Sequence, residues 1–426
     1  MLLFERGSAT AELTPADLRE GIKTAADRIG ICGNVLIVPP DHTRIQSRAG
    51  ELTRYLYERY RDQVAGIIPA LGTHLPMDSG EITGMFGDLP QELFIAHKWR
   101  EDCIPAGTIP ASFIAEASSG VIHEPFPIAI NRILLEKNYG CIFSVGQVVP
   151  HEVAGMAGYT KNIIVGLGGA ENIHRTHFLG AAYGMERVMG RADSPVRRVL
   201  NYAMGHFLDK LPVVHVLTVV GQDVSDGSLK VRGLFIGSDG ECYRKAAALS
   251  QRVNIHLLDA PLKKVVVYLN PHEFKSTWLG NKSIYRTRMA IADGGELIVL
   301  APGVRMFGED GAIDALVRKF GYHGTPSTMA AVETDETLRN NLSAAAHLIH
   351  GSSEGRFKVT CCAGGLSKEE VESVGFRYAP VEKMTDRYNP ESLSEGYNRM
   401  ANGEEIYFIS SPGTGLWAAR EKFGER

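Results

Sequence analysis

The sequence has no block of basic residues: 45 Lys and Arg stand against 49 Asp and Glu, a formal net charge of -4. A protein that neutralises a phosphate backbone needs such a block, so nucleic acid is not an expected partner. No uninterrupted apolar stretch reaches the roughly 18 residues that span a bilayer, and the opening Met-Leu-Leu-Phe-Glu-Arg turns polar at once. Neither a membrane span nor a secretory leader is expected, and the reading is of a soluble, cytoplasmic protein. Cysteine is sparse: Cys32, Cys103, Cys141, Cys242, Cys361 and Cys362 are scattered, only the last two are close, and there is no CxxC. This spacing makes neither a disulfide framework nor a zinc ribbon, and it suits a reducing compartment. Internal repeats and low-complexity segments are also missing.

What is present is apolar residue: 44% of 426 positions, with 46 glycines, enough for a large core and more than one domain. Strand-length apolar runs alternate with segments of helical periodicity, the pattern of parallel βαβ units. Asn34 to Val38 runs into Pro39-Pro40-Asp41-His42-Thr43-Arg44, and a helix containing Leu52, Tyr55, Leu56 and Tyr60 follows. Val64 to Leu71 runs into Gly72-Thr73-His74, and Cys141 to Val149 into Pro150-His151. Asn162 to Val165 reads as a further short run, followed by Gly166 to Gly169 and a helix opening near Ala170.

The texture changes after Lys264 to Leu269, which places a boundary at 270. The expected fold is two α/β domains with mainly parallel sheets and the active site in the cleft between them. The larger covers 1–270, with 406–426 packing back on it, and the smaller covers 271–405. In the smaller, a helix over Ser276 to Ala292 should stop at Asp293-Gly294-Gly295 before a strand Glu296 to Ala301. Helices over Ala312 to Phe320 and Thr334 to Ile349, and strands Phe357 to Cys361 and Glu405 to Ser410, complete it.

Ligands of open parallel sheets sit at the carboxyl ends of the strands, where loops converge on helix N-termini. Those loops hold Asp41, Arg44, His74, His151 and Lys161. A carboxylate and a guanidinium on one tight loop can grip a carboxylate or phosphate, or simply pair with each other. His74, just past a buried strand, suits proton transfer near neutral pH, or is a structural loop histidine. His174 and His177 lie three apart on a helix and share a face, so they are candidate metal ligands or ordinary helix histidines. Glycines before a helix can cradle a phosphate, although such turns are common. Lys282, with Lys275 and Arg286, could meet an anionic substrate or form a solvated face. Trp99, Trp278 and Trp417 are assigned to packing.

Taken in order, Asp41-His42-Thr43-Arg44, Gly72-Thr73-His74, Pro150-His151, Lys161, His177 and Lys282 resemble the lactate racemase family that uses a nickel-pincer nucleotide. The resemblance is in motifs, spacing and length, and so covers nearly the whole chain. It implies a pyridinium-derived mononucleotide carrying two thio-acid groups, tethered to Lys161, with nickel held by an S–C–S pincer and by His177. It implies His74 and His151 as paired acid/base residues. Asp41, Thr43 and Arg44 become cofactor-binding residues, Arg44 also meeting substrate, and Lys282 binds the substrate's charged end. The family's glutamine three residues before that lysine is Leu279 here, with Asn281 next to Lys282.

The implied chemistry has a physical reason. The C2 hydrogen of a 2-hydroxy carboxylate is scarcely acidic, because the neighbouring carboxylate is already an anion. Removal as hydride, with a base taking the hydroxyl proton, gives a planar 2-keto acid that can be re-reduced on either face. Two histidines serve this, each as base for one stereoisomer and acid for the other. The hydride acceptor must be a cofactor. The expected activity is racemisation or epimerisation at C2 of a lactate-like acid or of a sugar acid such as gluconate or mannonate. The partners implied are that small acid and the proteins that build the cofactor. Two other readings stand beside it. One is a zinc-type hydrolase or lyase using His151, His174 and His177, which needs a third firm ligand and lacks an HExxH. The other is a non-catalytic metal or nucleotide carrier, which has no use for two acid/base histidines.

Overall fold

The computed structural model describes residues 1–30, 33–223, 227–413 and 415–424; Cys32 lies outside them, and the other five cysteines are free thiols. The chain divides into two compact units, one of Met1–Leu179 with Val188–Asn254 and one of Gly180–Arg187 with Ile255–Arg426.

The first unit is built on six strands: β1 (Leu2–Gly7), β2 (Val35–Val38), β3 (Val64–Ile67), β4 (Cys141–Gln147), β5 (Val213–Gln222) and β6 (Leu229–Gly237). Their order is β1-β6-β5-β4-β2-β3. β3, β2, β4 and β5 run parallel, whereas β6 and β1 join antiparallel at the edge. The sequence Val-Leu-Ile-Val in β2 carries no polar residue because both of its faces are covered. Val35 and Ile37 enter one apolar core, and Leu36 and Val38 the core on the opposite face. On the first face lies the helix Pro15–Ile29, which starts where Thr14 and Asp17 form a capping box and buries Leu18, Ile22, Ala25 and Ala26. Helix Ala49–Tyr60 covers the same face through Leu52, Tyr55, Leu56 and Tyr60.

The second unit has strands β7 (Leu262–Tyr268), β8 (Ile291–Ala301), β9 (Lys358–Ala363), β10 (Arg377–Tyr378), β11 (Gly396–Arg399) and β12 (Glu405–Ile409). Their order is β10-β9-β8-β7-β12-β11, parallel except for the last pair. The fold is therefore mixed α/β with two mainly parallel sheets, as expected.

Six details differ from the sequence reading. β7 pairs with β8 on one side and β12 on the other, so the division falls after Asn254 and not at 270. By the same pairing, residues 405–409 belong to the second unit, as does the strand Leu416–Ala419, which pairs with Ile255–Leu258; residues 414, 425 and 426 of the 406–426 segment lie outside the described residues. Asn162 to Val165 is no strand: Thr160–Ile164 is a short helix whose Ile163 and Ile164 enter the core, an apolar run too short for periodicity to classify. The helix expected over Ser276 to Ala292 is two single turns, Thr277–Gly280 and Lys282–Tyr285, followed by β8. Asp293-Gly294-Gly295 lies inside β8, where the register with β7 shifts between Leu262 and Lys264 and Gly294 takes φ 78°. It is an irregularity in a strand, a use of glycine that looks the same in sequence as a helix stop. The span Thr334 to Ile349 is likewise broken, because Asn341 caps Ala344 and starts a new helix, Leu342–His350. Among the described residues no helix is long and apolar enough to cross a membrane.

Candidate active site

β2 and β3 are adjacent and parallel, so their carboxyl ends deliver two loops side by side. Ala70 donates to the Pro39 carbonyl at 2.7 Å and bridges Pro40, which holds the loops together beyond the strands. Pro39 and Pro40 cannot donate to the ladder and end β2 immediately before Asp41. Gly72, at φ 59°, makes the corresponding turn before His74, and its N–H reaches the Gly166 carbonyl at 2.9 Å.

The result is a hydrogen bond of 2.5 Å between Asp41 Oδ2 and His74 Nδ1, with Asp41 Oδ1 accepting from the Thr43 hydroxyl at 2.5 Å. Burial pushes the Asp41 carboxyl up, but the hydrogen bond and charge of His74, with Thr43 and Arg44, outweigh it and hold the group below the usual carboxylate value. The carboxylate is thus ionised and the proton of the pair sits on Nδ1 of His74. Arg44 does not take Asp41 as its partner: its guanidinium donates to Thr43 Oγ1 at 3.0 Å and stays exposed.

β4 leads into a tight hairpin in which Pro150–His151 pairs with Gly155–Met156. Gly155 is required there, since a Cβ would lie 2.2 Å from the Arg191 carbonyl. Within the hairpin, His151 Nδ1 accepts the backbone N–H groups of Val153 at 3.1 Å and Ala154 at 3.4 Å. Burial drives the His151 imidazole far below its usual pKa; Glu152 opposes this, while Lys161, His177 and Arg44 add to it.

Lys161 sits in the first turn of helix Thr160–Ile164, after Tyr159 at φ 58°. The fully buried Arg197 clamps this turn, donating to the Met156 carbonyl at 2.7 Å, Thr160 Oγ1 at 2.8 Å and the Gly158 carbonyl at 3.3 Å. The Lys161 amine is lowered to about 8 by burial and by the positive charge of Arg44, with Glu152 opposing. At neutral pH about a tenth of it is then the uncharged amine that can bond to carbon.

His177 lies on helix Ala170–Tyr183, and its Nδ1–H donates to the Ile173 carbonyl at 2.6 Å, which leaves the Nε2 lone pair available to a metal. Burial, then the Lys161 charge, lower this imidazole to about 4, so it is neutral as a ligand must be. Lys161 and His177 are held in register by Asn172, which bonds the Ile164 carbonyl and both backbone groups of Ala129. His97 Nε2 adds a bond to the Gly168 carbonyl, and Asn131 holds its Nδ1 at 2.9 Å. His174, partly buried, is lowered by burial but influences only His177 in this group.

Lys161 exchanges charge effects with each of Asp41, Arg44, His151 and His177, so these residues form one cluster in the first unit, with His74 bonded to it through Asp41. Glu152, Arg197, Asn172 and His97 were not singled out from the sequence. Pro-Val-Arg-Arg around Arg197 reads like a wet helix start, and nothing local marks its burial. Lys282 belongs to the second unit, on the turn after Asn281, with its ammonium 5.6 Å from the Phe274 ring. Of its expected companions, Arg286 is buried and donates to the Gly415 carbonyl, while Lys275 bonds the Pro271 carbonyl. Among the described residues no three His, Cys, Asp or Glu side chains form a metal-holding group, so the third ligand that a zinc site needs is not supplied by them.

Residues 18–188 match the lactate racemase N-terminal domain family. A lactate racemase from Thermoanaerobacterium thermosaccharolyticum is 26% identical over 298 residues, which are 67% of this chain and 61% of that protein, so the match spans under two thirds of the relative. A crystal structure of a Thermotoga maritima protein superposes with a TM-score of 0.77 at 25% identity, over 95% of this chain and 98% of the other. The lactate racemase apoprotein from T. thermosaccharolyticum superposes with a TM-score of 0.69 at 19% identity, over 96% and 93% of the two chains, which establishes the shared fold.

Proposed function

We propose that this chain, whose residues 18–188 match the lactate racemase N-terminal domain family, is an isomerase that inverts C2 of a 2-hydroxy carboxylate through a 2-keto acid. The observation that carries the reading is the Asp41–His74 pair beyond two parallel strands, with Lys161 feeling the charge of Asp41 and itself acting on His151 and His177.

The donor set suits a nickel-pincer nucleotide. A lone protein imidazole with a free Nε2 is a sensible last ligand for a metal whose other ligands come with a cofactor, and a partly uncharged lysine suits an amide-type tether. His177 would hold the nickel, Lys161 the tether, and Asp41, Thr43 and Arg44 the loop beside the nucleotide. Bound there, the group supplies the hydride acceptor that no side chain can provide.

The residues of the chain do the rest. His74 Nε2, whose ring is oriented by Asp41, takes the hydroxyl proton as the C2 hydrogen departs with its electron pair. His151 serves the same oxygen when it lies on the opposite side. Arg44 offers a fork to a carboxylate or phosphate. Leu279 replaces a group that could hydrogen-bond, so a sugar acid such as gluconate or mannonate stands beside lactate as a substrate. The small acid and the cofactor-making proteins are the partners of this reading.

The test is expression in a host that builds the cofactor, followed by intact mass, nickel content and C2 inversion assays on both acid groups. An added nucleotide mass on Lys161, near-stoichiometric nickel and inversion of one acid are expected. Zinc with no nucleotide and no inversion of any 2-hydroxy acid would overturn the proposal.

A further inference from the structure

The two site histidines are bonded in opposite senses. His74 points Nδ1 at an ionised carboxylate, so Nδ1 carries the proton and Nε2 the lone pair. His151 points Nδ1 at two N–H groups, from Val153 at 3.1 Å and Ala154 at 3.4 Å, so Nδ1 carries the lone pair and Nε2 the proton. Glu152 favours a proton on Nδ1 of His151, but its Oε2 lies 3.8 Å away, beyond hydrogen-bond reach. Two donors in contact outweigh one carboxylate out of contact. Solvent access differs as well, the His74 side chain being 54% exposed and that of His151 14%.

We infer that His74 and His151 rest as opposite neutral tautomers, so that only His74 is ready to accept the substrate's hydroxyl proton, while His151 presents an N–H to the substrate oxygen. This deepens the proposed racemase reading and rests on it for the identity of the substrate. In the first half-reaction the O–H bond breaks and its proton bonds Nε2 of His74, the C2–H bond breaks with its electron pair leaving as hydride, which the bound nucleotide would accept, and the C2=O double bond forms; the positive charge on the His74 ring is balanced by ionised Asp41. The other stereoisomer, with its hydroxyl toward His151, meets an N–H where it needs a lone pair. Before His151 can act as its base, the ring proton must move from Nε2 to Nδ1 and displace the N–H groups of Val153 and Ala154. In the resting state His151 therefore works as an electrophile, a role open to a neutral imidazole whose N–H faces a carbonyl oxygen.

The hairpin is the cause of the inequality. Its two-residue strands bring the backbone of residues 153 and 154 back over the ring of residue 151. His74 instead turns Nδ1 to the Asp41 carboxylate. The two rings thus owe their states to different kinds of partner, a main chain that cannot titrate and a carboxylate that can.

Two-bond 1H–15N correlation spectra of the full chain, labelled with 15N-histidine and recorded near pH ~8 where imidazoles are neutral, read both tautomers directly. His74→Gln and His151→Gln identify the rings, and contacts to the Val153 and Ala154 amide protons identify His151 a second way. The expected spectra have a protonated Nδ1 and bare Nε2 for His74, and the reverse for His151. A protonated Nδ1 at His151, or the same pattern in both rings, overturns the inference. No substrate is needed, so a chain with opposite tautomers that inverts no 2-hydroxy acid would fail the functional reading alone.

Discussion

The two units treat their buried polar side chains differently. In the second unit Thr277, Tyr322 and His347 bond one another in a closed chain, Thr277 Oγ1 to Tyr322 Oη at 2.8 Å and Tyr322 Oη to His347 Nε2 at 2.9 Å. Each finds its partner inside the fold, and burial leaves His347 neutral, lowered to about 3. In the first unit the groups beyond the carboxyl ends of β2, β3 and β4, with His177 on the helix Ala170–Tyr183, are only half satisfied. His74, His151 and His177 each use Nδ1 on the protein and keep Nε2 for something else. A polar group that closes on its neighbours contributes stability; one that is oriented on one side and open on the other is available for chemistry.

The sharpest way to break this comparison is to remove one open group and look for a stability cost. His74→Gln keeps a donor for Asp41 but has no base, and C2 inversion should fall about 10²–10⁴-fold, the worth of a general base, with stability changed by less than about 1 kcal/mol. Asp41→Asn, which no longer demands Nδ1–H, should lose nearly as much through the wrong tautomer. Urea melts beside the inversion assay check both; a His74→Gln protein that unfolds easily yet turns over normally would reverse the assignment.

The converse experiment belongs to the second unit. Tyr322→Phe leaves the Thr277 hydroxyl and the His347 ring short of a partner in a dry interior, at a cost of about 1–3 kcal/mol, read as a lower urea midpoint. Turnover per folded molecule should stay within about twofold, well below the loss expected from a missing catalytic group. If activity falls as steeply as stability holds, the chain Thr277–Tyr322–His347 is serving the reaction and the contrast between the units fails.

The same contrast explains what the sequence made legible. Strands buried on both faces carry unbroken apolar runs, so β2 and β4 stand out, and with them the loops that bear Asp41 and His151. Order along the chain suggested which residues meet, but not how: the bond between Asp41 and His74 joins positions 33 apart, and no local pattern encodes it. Thr160–Ile164 was misread because five residues do not fix a period, and Asp293-Gly294-Gly295 because one glycine pair serves a helix stop and a strand irregularity equally well. Arg197 was invisible for a third reason. Its partners are main-chain carbonyls of Met156 and Gly158 and one hydroxyl, so no acidic residue elsewhere announces the buried cation.

Lys161 gives the subtlest test, because there an open group should carry a penalty. Its folded pKa of about 8 lies below the ordinary 10.5, so between these values the unfolded chain binds more protons than the folded one. Stability therefore rises as pH climbs through 8 toward 10.5, and below pH 8 the full cost of holding the ammonium is present. A shift of that size corresponds to at most about 3 kcal/mol; Lys161 keeps a strip of accessible surface, which reduces it to roughly 1–2 kcal/mol. Lys161→Met should then be more stable than the parent by that amount at pH 7, and the two proteins should converge only above the unfolded pKa, at about pH 11. Urea midpoints at several pH values measure both. A variant weaker than the parent at pH 7 would mean that the ammonium is well paired, and that Lys161 belongs with the closed polar groups of the second unit.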